Sequence, residues 1–415
     1  VVTNPGNLDT SYLYDSIGRT TAVEAPSGAT TTLSYDATNL KTTTTASFTD
    51  NGSSRSFSTA QKVNGWGQVI EAVNQHGGQV NISYDSMGRV SSQTNPFQAG
   101  GTPSSHTVSN TYDALGRVTT TTLQDGNTVQ VSYGGHIVTV TDQVNRKLKH
   151  ETDGLGRLIT ATEQNSSASL SQHTYYSYDL RDKLLEVNQG SQYRKWKYDD
   201  LARMTYEKIP EQTASINDGT GTYWTTKYTW NDNDLVTERK DARGVITSYT
   251  YDALNRLTDI SYNVGSTGVP ATDAVYFNYA FATTSNNVGK PQYVTVGNFR
   301  EDYIYDSNQR LSSSARSGTG FGSYTTSYEY NTLSEVTKVT YPGGRQVKTT
   351  HDNSGRLATV AHDNATGGWA SNDYLNSTSY NYAGQLSGWT LGTKLAESYG
   401  YNSRLQLSSQ TAALN

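Results

Sequence analysis

The stretch Tyr84-Asp85-Ser86-Met87-Gly88-Arg89-Val90 decides how this chain reads, because its pattern recurs from one end to the other. Tyr-Asp-x-x-Gly-Arg appears again as Tyr14, Asp15, Gly18 and Arg19, and as Tyr112, Asp113, Gly116 and Arg117. Three variants change one residue each. Asp153, Gly156 and Arg157 follow Thr152; Tyr251, Asp252, Asn255 and Arg256 carry Asn for Gly; Asp352, Gly355 and Arg356 follow His351. Weaker copies start at Tyr35, Val63, Tyr178, Tyr198, Trp230, Tyr305, Tyr330, Tyr380 and Tyr399. Self-similarity at a fixed short period is the mark of a repeat architecture.

The spacing turns the pattern into structure. Tyr14 to Tyr35, Val63 to Tyr84, and Trp230 to Tyr251 are each 21 residues, and a second Gly follows ten residues after the motif Gly, as in Gly18 and Gly28 or Gly116 and Gly126. Each unit therefore has two turns joined by two strands. Between turns, apolar and polar side chains alternate, as in Val80-Asn81-Ile82-Ser83-Tyr84, which is the period of a half-buried strand. Within the motif, Asp is expected to cap the turn by accepting a backbone N–H two residues on. Gly, or Asn255, supplies a left-handed residue. Tyr is expected in cross-strand ladders with its hydroxyl at the wet edge, and Arg to pair with the Asp of a nearby unit. The fold class is all-β: tandem antiparallel hairpins forming one long sheet strip, read as a single continuous repeat region over 1–415. A protruding loop is expected at about 206–226, around Pro210 and Asp218-Gly219.

Composition agrees. Counted without Tyr and with Gly, the apolar fraction is roughly 34%, against about 45–50% for globular domains. Charged residues are only 17%, and Thr, Val and Tyr abound, which favours strands over disorder. The net charge of −5 gives no footprint for nucleic acid. No apolar run approaches the ~18 residues of a membrane span. With no cysteine there is neither a disulfide framework nor a thiolate metal site. The chain begins without Met or a leader-like segment, and its abrupt ends suggest a piece of something longer.

The motif at this spacing resembles the YD repeats of the RHS family, which includes bacterial RHS toxins, the C component of insecticidal toxin complexes, and teneurins. The resemblance spans nearly the whole chain. It implies a β-strip spiralling into a hollow shell, which in the bacterial toxins encloses a toxic C-terminal segment of the same polypeptide. Many bacterial members end the repeats in an Asp-Pro-rich core that can act as a self-cleavage site. No Asp-Pro dipeptide occurs here, and the repeats persist to Arg404-Leu405, so neither the self-cleaving core nor the cargo is expected among these residues: either the cargo lies outside them or this is a cargo-free member.

Sites for chemistry are sparse. The repeated aspartates read as turn caps, since a catalytic pair occurs once and not in every repeat. Seven scattered histidines form no metal-ligand motif, and no nucleophile elbow occurs. No catalytic residue, metal or cofactor is expected. Trp224 and Trp369 lie near Gly/Thr/Asn-rich stretches and are the candidates for stacking on a sugar. The expected role is a non-enzymatic shell segment that shields a C-terminal toxin or effector cargo, in a secreted or cell-surface bacterial protein. Secretion components, or like chains pairing through exposed strand edges, are further expected partners. The alternative is an extracellular filament or adhesin that binds glycans.

Overall fold

The computed structural model describes residues 1–3, 8–165, 169–279, 287–362 and 374–414. The described residues form 38 strands and no helix. Pairing places 32 strands in one sheet, four in a sheet over residues 377–414, and two in a small ribbon. Every strand pairing with a defined register is antiparallel, and successive strands are usually partners, as at Val69–Val73 with Gly78–Tyr84. This is the expected consequence of turns too short to allow a parallel crossover.

Chain contacts divide the molecule into two compact units. The first comprises Val1–Asn127, Tyr279–Gln292 and Glu301–Asn415; the second comprises Thr128–Asn278 and Tyr293–Arg300. Neither has a conventional core. Among the described residues the buried apolar side chains are few: Phe48, Ala60, Phe97 and Leu375 in the first unit, and Ala161, Ile216, Trp224 and Val245 in the second. Most strand residues are half-buried. The hydrogen-bonded ladder and the turn contacts must therefore hold much of what apolar burial holds in a globular domain.

In the second unit, residues 206–226 are not a bare excursion. Ile216–Asn217 pairs with Tyr223–Trp224 as a two-stranded ribbon. Ile216 and Trp224 turn inward, and the Trp224 ring lies 5.6 Å from that of Tyr206. Lys197 holds the ribbon through a 2.8 Å ion pair to Asp218. That pair and a hydroxyl bond from Thr220 hold the Asp218 carboxyl well below the usual carboxylate range. The apolar side chains of this segment find cover by folding back on the sheet, which spacing alone could not show.

Candidate functional site

Each motif copy builds the same turn. Asp15 donates its N–H to the Arg19 carbonyl at 2.9 Å, and Gly18 donates to the Asp15 carbonyl at 3.1 Å. A register shift follows at Tyr14, the signature of a three-residue hairpin loop closed by a left-handed bulge residue. One Asp15 carboxylate oxygen accepts the N–H of Ile17 (3.0 Å) and of Arg19 (2.9 Å), while the other accepts Arg19 Nε at 2.6 Å. Asp85, Asp113, Asp153, Asp252 and Asp352 repeat this, with Arg Nε at 2.7–2.8 Å from the carboxylate. In Asp15, Asp85 and Asp113 the bond from the Arg backbone N–H is the largest influence and lowers the carboxyl pKa. In Asp153 and Asp252 desolvation pushes upward, and the bonds from Arg157 and Arg256 outweigh it.

The left-handed residue is Gly at 18, 88, 116, 156 and 355, with φ of 76° to 84°. Asn255 takes φ 61°. Weak copies adopt the same conformation without Gly, at Ala202, Gln309, Ser334 and Leu405. Leu405 also corrects the register of the last copy: its turn is 402–406, so Tyr401 and not Tyr399 stands in the motif Tyr position.

One expectation about side chains is extended and another changes. Arg pairs first with the Asp of its own turn, because a spacing of four residues across a tight loop brings the fork onto that carboxylate. Its far end then reaches the next repeat, where the expected pairing with a neighbouring Asp also occurs: Arg157 Nη1 donates to the Asp179 carbonyl at 3.0 Å and to Asp182 at 2.8 Å, and Arg203 Nη1 to Asp234 at 3.0 Å. The motif Tyr does not leave its hydroxyl at a wet edge. Tyr84 donates to the Val69 carbonyl (2.7 Å), Tyr112 to Val90 (2.6 Å) and Tyr251 to Val236 (2.7 Å), pinning each hairpin to the one before. The preceding Arg lies over the ring, 4.4 Å from centroid for Arg89 on Tyr112. Trp230 takes over both roles, donating to the Met204 carbonyl under Arg203. Tyr14 has no earlier described repeat turn to pin and is exposed.

Turns of the first unit also meet across the chain. The second-Gly turns of 49–127 lie against the motif turns of 331–404, forming a seam between two layers of hairpins. Thr49 donates its N–H to Thr332 Oγ1 at 2.8 Å, and Ser354 Oγ donates to the Gln75 carbonyl at 2.8 Å. Asn74 Nδ2 reaches the Tyr382 carbonyl at 3.1 Å, and Asn95 Nδ2 reaches that of Ser403 at 2.6 Å. Arg404 pairs with Asp125 at 2.7 Å, and this bond, the largest influence there, lowers the Asp125 carboxyl to about 2. At one end of the seam lies a buried cluster. Asp50, 1% exposed, accepts the His351 N–H at 3.0 Å and faces His351 Nδ1 at 3.4 Å. Burial pushes the Asp50 carboxyl up, and the His351 bonds bring it net below its ordinary value. The approach is close enough that only Gly fits at position 78, where a Cβ would run into the Tyr382 carbonyl.

Of the two tryptophans singled out for sugar stacking, Trp224 is only 6% exposed, so its ring faces cannot receive a sugar. Trp369 lies outside the described residues. The most exposed Trp among the described residues is Trp66, at 90%.

Fold and site thus define a tandem β-hairpin protein whose described residues repeat one turn and one pin, with a seam in the first unit. The teneurin YD-shell family matches residues 272–366, and the RHS repeat family matches 14–48 and 230–267. Over those residues the chain carries RHS/YD-type repeats. No curated protein matches it by sequence. Among solved structures it is similar to the TcdB2-TccC3 crystal structure, with TM-score 0.75 and 12% identity, over 99% of this chain and 26% of that one. TcdB2-TccC3 without its hypervariable C-terminal region gives TM-score 0.76 and 11% identity, over 99% and 28%. A Tc holotoxin pore of Photorhabdus luminescens carrying a TccC3 point mutation gives 0.74 and 12%, over 90% and 21%. At these identities the likeness is one of fold, and this chain spans about a quarter of the length of those it matches.

Proposed function

We propose that this chain is a wall segment of an RHS/YD shell that encloses a C-terminal toxin or effector polypeptide of a secreted bacterial protein, and that it has no catalytic activity of its own. The observation that carries this reading is the seam of the first unit. A strip that served only as a spacer would have no need to lock one layer of turns onto another, whereas a wall must. The likeness to TccC3 chains, one of them described as lacking a hypervariable C-terminal region, points the same way.

The test is protection. The chain is expressed with an unstructured reporter peptide appended after Asn415 and treated with a protease that cuts only the reporter. Survival of the reporter under native conditions, and its loss in denaturant, supports enclosure. Cleavage at the rate of the free peptide refutes it, and the extracellular filament or adhesin then becomes the reading to pursue.

A further inference from the structure

The seam shows what a motif turn does when covered. The residue before the left-handed position points out of the loop, and in the seam it is covered whatever its polarity: Ser354 bonds the Gln75 carbonyl, Arg404 pairs with Asp125, and Leu333 is half-buried. In the other layer of the same unit, the same position holds Ile17, Trp66, Met87 and Leu115, with Asn39 between Ile17 and Trp66. The four apolar side chains are 73%, 90%, 77% and 77% exposed. Their turns lie on the edge of the layer opposite the seam, since each motif turn is separated from the second-Gly turns by one strand length. Neighbouring hairpins are two strands apart, so Trp66 and Met87 stand about 10 Å from each other. The result is an apolar row of Trp66, Met87 and Leu115 along a layer edge, where large exposed side chains are rarely left grouped.

We infer that this row is a docking edge for a second copy of the chain. The interface continues the one already present: motif turns seat on second-Gly turns. The first unit also carries an uncovered edge of that second kind, since residues 341–345, Tyr341-Pro342-Gly343-Gly344-Arg345, are exposed throughout. One copy therefore offers both halves, apolar knobs on one edge and a Gly turn flanked by an exposed Tyr on the other. The contact is heterologous, and repetition stacks copies layer on layer. Apolar knobs suit a contact between chains. They need no partner of fixed geometry, and burying them removes surface from water.

The test is sedimentation velocity on the purified chain from low to high micromolar concentration, with tryptophan emission followed in parallel. Concentration-dependent association with a blue shift of emission is expected, and W66S/M87S/L115S should weaken it by at least about tenfold. Its circular dichroism and melting temperature should match the parent, because these side chains touch solvent. Y341E, on the other edge, should weaken association comparably. A chain that stays monomeric, or association that the triple variant leaves unchanged, overturns the proposal. So does association that resists Y341E, since the knobs would then be seated elsewhere. Flotation with phosphatidylcholine vesicles that W66S/M87S/L115S abolishes, in place of self-association, would overturn the proposal by making the row a lipid contact. None of these outcomes bears on reporter protection, so the two proposals fail separately.

Discussion

Asp50→Ala tests the seam most directly. The Asp50 side chain is wholly buried at the tip of the long hairpin formed by Lys41–Asp50 and Ser53–Val63. It accepts the His351 backbone N–H at 3.0 Å, lies 3.4 Å from His351 Nδ1, and sits 3.5 Å from Arg55 Nε. Truncation strands a buried N–H, a cost of about 1–3 kcal/mol, and removes the counter-charge of Arg55. Breaking a buried charged cluster from one side costs about 3–5 kcal/mol in all. Asp50→Asn keeps the volume and one acceptor oxygen, so it should cost only about 1–2 kcal/mol, the difference between charged and neutral bonds. The readout is native-state hydrogen exchange at the Thr332 N–H, which bonds the Thr49 carbonyl across the seam. At 1.4 kcal/mol per decade, the Ala variant should exchange there roughly 100- to 4000-fold faster, and the Asn variant roughly 5- to 30-fold faster. The sign with pH also follows. The folded Asp50 carboxyl lies below its ordinary value of 3.8, so its contribution is complete above that value and fades as pH falls through the lowered one. Unchanged exchange at Thr332 in Asp50→Ala would refute the assignment of Asp50 to holding the layers together.

Three further outcomes are expected. Gly116→Val should destabilise by more than ~1 kcal/mol in denaturant titration, because φ is +80° there and a β-branched side chain resists it. Tyr112→Phe deletes the 2.6 Å bond to the Val90 carbonyl while keeping the ring under Arg89, and should cost about 0.5–1.5 kcal/mol by the same measurement. Arg404→Gln should let the Asp125 carboxyl rise from about 2 toward its ordinary 3.8, which carboxyl NMR titration reads directly. In the parent the pair's contribution persists as pH falls to about 2, and in the variant it is absent throughout.

The local fold was legible in the primary structure because it is made of short-range chemistry repeated many times. Asp to Gly to Arg within five residues specifies a turn, alternation specifies strand faces, and the ten-residue offset between glycines specifies a hairpin. None of this needs knowledge of distant residues. Even Trp230 could be read as a stand-in for Tyr from its register alone. What failed were inferences about where side chains end up. Trp224 looked exposed because its neighbours are Gly and Thr, yet the segment folds back and buries it. The residue before the motif Gly was apolar in Ile17, Met87 and Leu115 in plain view, but whether such a residue faces solvent or a second layer is not a local property.

The sequence by itself therefore determined the turns, the strand periodicity, the antiparallel pairing of neighbours and the RHS/YD resemblance. Only the tertiary structure decided that Asp50 meets His351 across 301 positions, that Gly78 faces Tyr382, and that one layer edge is locked while another is bare. The reason is geometric. Hairpin register is set by a few adjacent residues, whereas the match between layers depends on the summed twist and length of every strand between them.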